Sequence, residues 1–485
     1  MKETMHQTRS RRRQIIQRTI VYTLMTTFVV GLVTVLVLLM LGYRFNRLTN
    51  TIEQGGLVQF VTRPSGASVT VGNAHLIDTT PSKITVNAGH YQVKMEKSGY
   101  RLWQKSVDIE AGEVLWLNYA QLVPEKITTT TVASFASLYE ARVSPTGRYY
   151  ALLPDVTKPS IVLIDMADSK YQQTNVNLST VAGKTSGTWR YTIASWSNDS
   201  NFILVKRTQA SRIEWLLVDR HDPAKSQNLT STYKKAISTV LFDPNSSNRL
   251  ILRMNDGTLQ TADVSSGNLS DVLLRDITGI NVSDDTLLYV QQKSPAIQSV
   301  GYMSLGGVKG RELVQRETKQ KLLIDIGSYY GDLYTVITTG NEIDLYRLSA
   351  LPKSASTAPI TMTPVAHFQV ATPPLDASIR SAGRLAVVES QRGFLTYDLE
   401  LGKMTSTDLG TTTASRLTWL DKYHVGYVVN GRFTIIEFDG GNRQEITEAT
   451  TGFEGNQSSD NKYVYSFLRT DRGVELRRSQ MILSN

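Results

Sequence analysis

A polar turn that leads into a hydrophobic strand recurs through most of this chain, and the repeat restricts the fold more than any other feature of the sequence. The copies lie at 144–152, 197–205, 243–252, 283–290, 381–388, 420–427 and 458–465. A spacing of about 40 to 50 residues is typical of β-propeller blades, which are small sheets that need neighbours to bury their faces. Residues 124–485 are therefore predicted to form a β-propeller.

A second element follows most of these strands and sets the phase of the repeat. It is an apolar strand that ends in an aspartate, at Asp165, Asp219, Asp263, Asp398 and Asp439, with Arg347 in the corresponding place near the middle. Each aspartate is expected to begin a turn between outer strands. The repeat units start near residues 142, 195, 241, 281, 327, 379, 417 and 457. We expect eight blades, and seven is the alternative because the fifth unit is the weakest.

Two repeats carry a tryptophan at the same point. The segments 194–199 (Ala-Ser-Trp-Ser-Asn-Asp) and 417–421 (Leu-Thr-Trp-Leu-Asp) resemble the WD40-like repeats of TolB-type β-propellers. The resemblance implies four-stranded blades that close into a ring. The Thr-rich segment 126–133 lies one strand ahead of the first repeat, so we expect it to pair with 474–482 in the last blade.

Residues 57–123 show a different pattern, that of a small antiparallel β-sandwich. Six short strands are predicted at 57–63, 68–71, 83–86, 91–97, 102–109 and 114–122. Tyr91, Val93 and Met95 alternate with polar residues, which is typical of a strand with one buried face. The pattern predicts no helix in this region.

The turns of this region resemble those of the PEGA domain, a small extracytoplasmic β-sandwich. The similarity rests on 62–69, 79–81, 87–91 and 97–100, with the motif residues Pro64, Gly66, Ala67, Pro81, Gly89, Tyr91, Gly99 and Tyr100. Residues 64–67 read Pro-Ser-Gly-Ala, so Ser65 replaces the Glu of the Pro-Glu-Gly-Ala motif after which the family is named. Pro64 restricts its own φ, while Gly66 and Gly89 permit the positive φ of tight reversals. The resemblance implies a spacer or adhesive module without catalytic residues.

Residues 19–43 contain no charged side chain. A bilayer core of roughly 30 Å needs about 20 apolar helical residues, so this run is long enough to cross a membrane once. Six basic residues and one acidic residue precede it in 1–18, whereas only Arg44 and Arg47 follow closely. This asymmetry predicts an uncleaved anchor in the cell membrane, with 1–18 in the cytoplasm, 44–56 as a juxtamembrane linker and the body outside. The alternative, a cleaved signal peptide, usually has a shorter apolar region.

Composition argues against several kinds of partner and site. The chain has 52 Lys and Arg against 43 Asp and Glu, a net charge of +9. The excess belongs to the residues that flank the apolar run, and the body is nearly neutral, so no nucleic-acid partner is predicted. The sequence has no Cys, which removes disulfides and thiolate metal ligands and is consistent with an exported protein.

Motifs for catalysis, cofactors or metals do not emerge from the sequence. The six His residues lack the paired spacing of a zinc site, and no Gly-x-Ser-x-Gly nucleophile motif occurs. Trp103, Trp116, Trp196 and Trp419 are expected to lie in hydrophobic cores. Trp189 and Trp215 are less constrained and remain as candidates for stacking on a sugar ring.

These features predict an all-β extracytoplasmic body, a small sandwich followed by a propeller, held by one N-terminal transmembrane helix. The expected role is that of a cell-envelope binding or scaffold protein for a protein or glycan partner, and not of an enzyme. Two alternatives stay open. One is a glycan-acting enzyme with carboxylates that converge in the propeller channel, and the other is an extracytoplasmic sensor that acts through a partner.

Overall fold

The computed structural model describes residues 4–40, 43–46, 51–167, 171–183, 187–307, 309–349, 351, 360–380, 383–410 and 417–483. The chain divides into two compact units, Met1–Glu125 and Lys126–Asn485. The sequence predicts the boundary close to this point, after residue 123.

The first unit begins with helix α1, Thr4–Met40. Within it, Ile15–Leu38 is long and apolar enough to cross a membrane, and none of this stretch is buried in the protein. The helix ends before residue 43, earlier than predicted. Strand β1 (Tyr43–Asn46) then pairs with the start of β2 (Thr51–Arg63), with Phe45 opposite Ile52.

This ladder corrects the prediction that 44–56 is a linker. Aromatic and β-branched residues favour a strand pair, and they place most of the segment in the sheet. Residues 41–42 and 47–50 of the predicted helix end and linker lie outside the described part of the chain.

Two four-stranded sheets form the rest of the first unit, as expected for a sandwich. The remaining strands are β3 (Ser68–Val71), β4 (Ala74–His75), β5 (Ser82–Asn87), β6 (Gly89–Glu96), β7 (Trp103–Ile109) and β8 (Val114–Gln121). One sheet places β2 between β5 and β8, with β1 on the first part of β2, and the other has the order β4-β3-β6-β7. Phe60, Val69 and Met95 are fully buried and contribute to the core. Five of the six predicted strands begin within two residues of observed ones, while β2 begins earlier and β4 was not predicted.

The turn residues of the sandwich take the conformations that the sequence predicts. Gly66 has φ +83° and Gly89 has φ +156°. The amide of Gly66 donates to the carbonyl of Thr80 at 2.8 Å, and the Thr62 and Thr80 hydroxyls meet at 2.5 Å. The other motif residues lie in turns or contribute to the core: Pro64 and Pro81 follow cis peptide bonds, Gly99 has φ +80° in the turn between β6 and β7, Ala67 and Tyr100 are buried, and Tyr91 is half-buried beside Gly89.

The second unit begins with β9 (Thr129–Phe135) and continues as a series of four-stranded antiparallel meanders. Blade 1 is β10 (Glu140–Val143), β11 (Tyr149–Leu153), β12 (Ser160–Asp165) and β13 (Gln172–Asn177), followed by the short helix α2 (Ser179–Ala182). Blade 2 is β14 (Arg190–Trp196), β15 (Phe202–Gln209), β16 (Arg212–Asp219) and β17 (Gln227–Asn228), followed by α3 (Leu229–Tyr233). Blade 3 is β18 (Ile237–Asp243), β19 (Ser246–Met254), β20 (Leu259–Asp263) and β21 (Asn268–Leu269). Blade 4 is β22 (Ile277–Ser283), β23 (Thr286–Ser294), β24 (Ile297–Ser304) and β25 (Arg311–Glu317).

The remaining blades repeat this arrangement. Blade 5 is β26 (Leu322–Tyr329), β27 (Asp332–Thr339), β28 (Glu342–Leu348) and β29 (Met362–Gln369). Blade 6 is β30 (Asp376–Arg380), β31 (Leu385–Glu389), β32 (Gly393–Asp398) and β33 (Lys403–Asp408). Blade 7 is β34 (Thr418–Trp419), β35 (His424–Val429), β36 (Arg432–Glu437) and β37 (Gln444–Glu448). Blade 8 is β38 (Asn456–Gln457), β39 (Tyr463–Thr470) and β40 (Gly473–Gln480), completed by β9.

Strand β9 closes the ring. It pairs with β40, with Phe135 opposite Val474 and Thr129 opposite Ser479. Tyr150 of blade 1 and Phe467 of blade 8 pack edge to face, with ring centroids 5.3 Å apart, in a shared hydrophobic cluster. The predictions of eight blades and of closure by 126–133 are thus confirmed in the described residues, including the weak fifth unit.

Candidate functional site

A cavity of about 350 Å³ opens at the inner edge of the propeller. We call it the arginine pocket and define it by Tyr139, Glu140, Arg142, Thr192, Phe453 and Glu454. These residues come from the starts of the inner strands of blades 1 and 2 and from the connection into blade 8. In an antiparallel meander such connections lie at one end of every blade, so the pocket belongs to a single face of the ring.

Arg142 lies between two carboxylates. Its Nε donates to Glu140 at 2.9 Å, and its terminal nitrogen contacts Glu454. The three side chains are 24%, 17% and 23% exposed, so all three reach the pocket while most of their surface is packed. Burial opposes the charge on Arg142, but the carboxylates of Glu454 and Glu140 outweigh it and raise the pKa of the guanidinium.

Backbone contacts hold this cluster in place. Glu140 accepts from the amide of Ile193 at 3.0 Å, and Glu454 accepts from the amide of Val143 at 3.3 Å. The Tyr150 hydroxyl donates to the carbonyl of Glu454 at 3.0 Å. Burial, followed by the Glu454 charge, raises the pKa of Tyr150 well above its ordinary value. The cluster is therefore a fixed feature that joins blades 8, 1 and 2.

The chemistry of the arginine pocket favours a ligand with a positive end. Two carboxylates and one guanidinium leave one net negative charge, and Phe453 is an apolar neighbour. Tyr139 is 59% exposed at the rim. No group of three or more His, Cys, Asp or Glu suited to a metal ion occurs among the described residues.

Asp325 is a second inner-strand carboxyl, and it joins blades 4, 5 and 6. It accepts from the side-chain amide of Asn281 at 3.0 Å and from the backbone amide of Ile379 at 2.7 Å. Burial raises the pKa of Asp325 to about 6, although the bond from Ile379 acts in the opposite direction. Asp325 and Glu140 therefore play the same part: each carboxylate accepts a hydrogen bond from a backbone amide in the inner strand of the following blade.

The two tryptophans proposed as ligand contacts are corrected to core residues. Trp189 is 4% exposed and Trp215 is 5% exposed. The Trp215 indole N–H donates to the carbonyl of Ile237 at 3.1 Å, and the Trp189 ring lies 4.3 Å from the Arg207 guanidinium. Burial removes the free ring face that stacking on a sugar requires.

The other four tryptophans were all expected in hydrophobic cores, and one of them is not there. Trp103 and Trp196 are buried, as expected, and Trp419 packs at the edge of a core cluster. Trp116 is 40% exposed, contrary to the expectation that it lies in the core. Strand β8 alternates, and its inward positions are taken by Leu115 and Leu117.

The recurring aspartates have the structural role that the sequence predicts. Asp165 accepts from the amide of Ala167 at 2.9 Å and pairs with Arg148 at 2.7 Å. Asp398 accepts from the amide of Glu400 at 3.0 Å and pairs with Arg384 at 2.7 Å. Each carboxylate caps the turn after its strand.

Sequence reasoning missed the arginine pocket. Arg142 and Glu454 lie 312 positions apart, and only ring closure brings them together. The available signal was the pair of charged residues, Glu140 and Arg142, on alternate positions of a strand that lines the inner edge of the ring.

Known proteins similar to this chain are found among solved structures. No curated protein sequence matches the chain. Among solved structures, the Myceliophteria thermophila Cps50 (Swd1) β-propeller domain is 13% identical with a TM-score of 0.40, over 67% of this chain and 100% of that one. An oligogalacturonate lyase in complex with manganese is 11% identical with a TM-score of 0.36, over 59% of this chain and 88% of that one.

The sandwich has a sequence match of its own. The PEGA domain profile matches residues 56–124, which include all of the turn motifs described above. Residues 56–124 are thus a PEGA domain, which the chain joins to an eight-bladed β-propeller.

Proposed function

We propose that this protein is a membrane-anchored envelope protein whose propeller binds another envelope protein through the arginine pocket. The apolar helix Ile15–Leu38, unburied along its length, supports the anchor. The basic residues of 1–18 support a cytoplasmic N-terminus. A PEGA domain directly after the anchor and a body without Cys support an extracytoplasmic location.

One observation carries the binding proposal: Glu140, Arg142 and Glu454 converge on an open cavity at the inner edge of the ring. Their excess negative charge suits the ammonium or guanidinium of a partner's side chain, whose aliphatic stem would pack against Phe453. Cavities of roughly 300 to 1,000 Å³ hold small ligands or anchoring side chains. At about 350 Å³ the arginine pocket fits a single side chain.

The test uses the soluble fragment 51–485, because β2 begins at Thr51. Thr192 lines the pocket and is exposed, so Thr192→Arg introduces a repelling charge without removing the ion pairs. Thr278→Arg is the matched control, since Thr278 is an exposed threonine on the inner strand of blade 4. Each fragment is immobilised and exposed separately to solubilised envelope proteins and to cell-wall glycan.

We expect one envelope protein to be retained by the parent fragment and by Thr278→Arg and lost with Thr192→Arg. Equal retention by Thr192→Arg would contradict the role of the pocket. Retention of glycan alone would replace the protein partner with a glycan.

The enzyme alternative has one specific observation in its favour. Glu140 and Glu454 contact the same guanidinium, so the two carboxylates are no farther apart than the roughly 5 to 10 Å of a glycosidase pair. Ion pairing to Arg142 is instead typical of a structural or binding role. Release of new chain ends from glycan by the parent fragment, abolished in Glu140→Gln, would establish the enzyme.

The orientation has a separate test. Protease added to intact spheroplasts is expected to digest the body and spare 1–18, because the basic cluster stays inside. Protection of the body would contradict the orientation and with it the envelope role.

A further inference from the structure

A second cavity, of about 330 Å³, lies between blades 4 and 5. We call it the tyrosine cleft and define it by Asp284, Asp285, Tyr302, Ser304, Ile326 and Leu333. It is built on the turns that follow the inner strands β22 and β26. Those turns lie at the opposite end of each meander from the arginine pocket, so the tyrosine cleft opens on the other face of the ring.

Tyr302 supplies the strongest sign that the cleft takes a ligand. Its side chain is 3% exposed and lines the cavity. Its hydroxyl has no hydrogen-bond partner in the described part of the chain. A buried hydroxyl without a partner is unfavourable and uncommon in folded proteins, so a polar ligand group that reached the Tyr302 hydroxyl from the cavity would satisfy it.

The walls of the cleft differ in character. Asp284, Asp285 and Ser304 form a polar side with Ser283 and Ser328. Ile326 and Leu333 form an apolar side with Leu351. A small amphipathic ligand with several hydroxyl groups on its edge and carbon on its face fits this division.

The charge of the lining narrows the ligand class. Among the described residues, the lining of the tyrosine cleft contains two aspartates and no Lys or Arg, so an anionic group would meet repulsion from the aspartates. Carboxylates accept hydrogen bonds from hydroxyl and amide N–H donors. The ligand is therefore neutral or cationic.

An exposed aromatic residue belongs to one of the turns on which the cleft is built. Tyr330 lies between Ser328 and Gly331, which both line the cleft, and is 87% exposed. It has φ +48°, a conformation that side-chain-bearing residues rarely adopt, and its ring centroid lies 4.5 Å from that of Tyr329. A large apolar ring held outward in such a turn is suited to stack on a flat carbon face.

We propose that the tyrosine cleft binds one sugar unit of a neutral or amino-sugar glycan, with Tyr330 stacked on the ring and the Tyr302 hydroxyl bonded to it. Asp284, Asp285 and Ser304 bond the hydroxyl edge, and Ile326 and Leu333 cover the carbon face. The site goes beyond the proposed function, since it shares no residue with the arginine pocket. The two sites together let one propeller hold an envelope protein on one face and a glycan on the other.

Calorimetric titration of the 51–485 fragment tests the proposal. The probes are the tetramer of N-acetylglucosamine, cellotetraose and, as the anionic comparison, tetragalacturonate. We expect at least one of the two neutral probes to bind with a Kd below about 10 mM, and tetragalacturonate to bind at least about tenfold more weakly. No binding of either neutral probe, or equal binding of the anionic one, would overturn the proposal.

Two variants assign the binding to the tyrosine cleft. Tyr330→Ala removes the stacking ring and should weaken binding about tenfold, and Tyr302→Phe removes one hydroxyl and should weaken it about fivefold. Met404→Ala is the control, since Met404 is 52% exposed on β33 of blade 6 and should bind like the parent. Unchanged affinity in both tyrosine variants would overturn the assignment.

Thermal unfolding without sugar separates a ligand contact from a structural role. Tyr302→Phe deletes an unpartnered hydroxyl, so the free fragment should unfold at the same temperature or slightly higher. A lower unfolding temperature would mean that the hydroxyl serves the fold and would contradict the proposal.

Discussion

Replacing Arg207 with Ala should destabilise the propeller far more than the same change at Arg212, although both arginines contact Glu214. The Arg207 side chain is 1% exposed and Glu214 is 11% exposed. Arg207 donates to Glu214 from Nε at 3.1 Å and from a terminal nitrogen at 2.5 Å. The same terminal nitrogen also donates to the carbonyl of Ala182 at 2.5 Å. Removing Arg207 therefore leaves Glu214 largely buried with its main partner gone.

The expected loss follows from this burial. Breaking a buried ion pair from one side costs about 3 to 5 kcal/mol. Burial would raise the pKa of Glu214, but the bonds from Arg207 and Asn228 lower it, so Glu214 stays charged at neutral pH. With an unfolding entropy of about 2.1 cal/mol/K per residue over about 360 residues, the loss corresponds to about 4 to 7 °C in Tm.

Arg212 is the matched control on the same glutamate. It is 64% exposed, lies 3.4 Å from the other oxygen of Glu214, and its guanidinium lies 5.3 Å from the Trp189 ring centroid. An exposed pair contributes about 0 to 1 kcal/mol, so Arg212→Ala should change Tm by about 1 °C at most. Thermal unfolding of the 51–485 fragment at pH 7, followed by circular dichroism, measures both. Equal losses in the two variants, or no loss in Arg207→Ala, would refute the reasoning from burial.

Three further changes have defined outcomes. A propeller fragment that begins at residue 138 lacks β9 and should melt lower and less cooperatively than one that begins at 124, because an open edge replaces a strand ladder; equal melting would contradict closure. The pKa of Asp325 is about 6 in the folded protein, whereas an Asp in an unfolded chain has a pKa of about 3.9. Because the folded state binds this proton more tightly, the free energy of unfolding should fall by about 3 kcal/mol as the pH rises from about 4 to above 6. In Asp325→Asn, the difference in stability between thermal melts at pH 5 and at pH 7.5 should be smaller. An unchanged difference would exclude Asp325 as its source. In the PEGA domain, Trp103→Ala should cost about 3 to 5 kcal/mol, whereas Trp116→Ala should cost under about 1 kcal/mol in denaturant titrations, because Trp103 is 2% and Trp116 is 40% exposed. Equal losses would contradict that difference in burial.

The blades could be predicted because their signals are local. Each turn lies next to the strand that it precedes, and pairing within a blade joins neighbouring segments, as Tyr149 joins Asp165. The sandwich turns at Gly66 and Gly89 are local in the same way, since positive φ depends on the residue itself.

Features that depend on distant segments or on the choice of sheet face could not be predicted. In β8, Val114, Leu115, Trp116 and Leu117 are all apolar, so alternation does not tell which face is buried. The arginine pocket requires blades 8 and 1 to meet, and the tyrosine cleft requires turns of two blades to face one another. Tyr330, which is 87% exposed, lies in a turn where no repeat pattern marks it.

Ring closure also sets an order of events during synthesis. Thr129 of β9 and Ser479 of β40 bond each other at 2.8 Å although they lie 350 positions apart. The first strand of the propeller to be made therefore has no ladder partner until β40 has been synthesised. Contacts across so long a separation form late and leave an edge open to other chains in the meantime. The polar run at Thr129, Thr130 and Thr131 gives this waiting strand little apolar surface with which to recruit another chain.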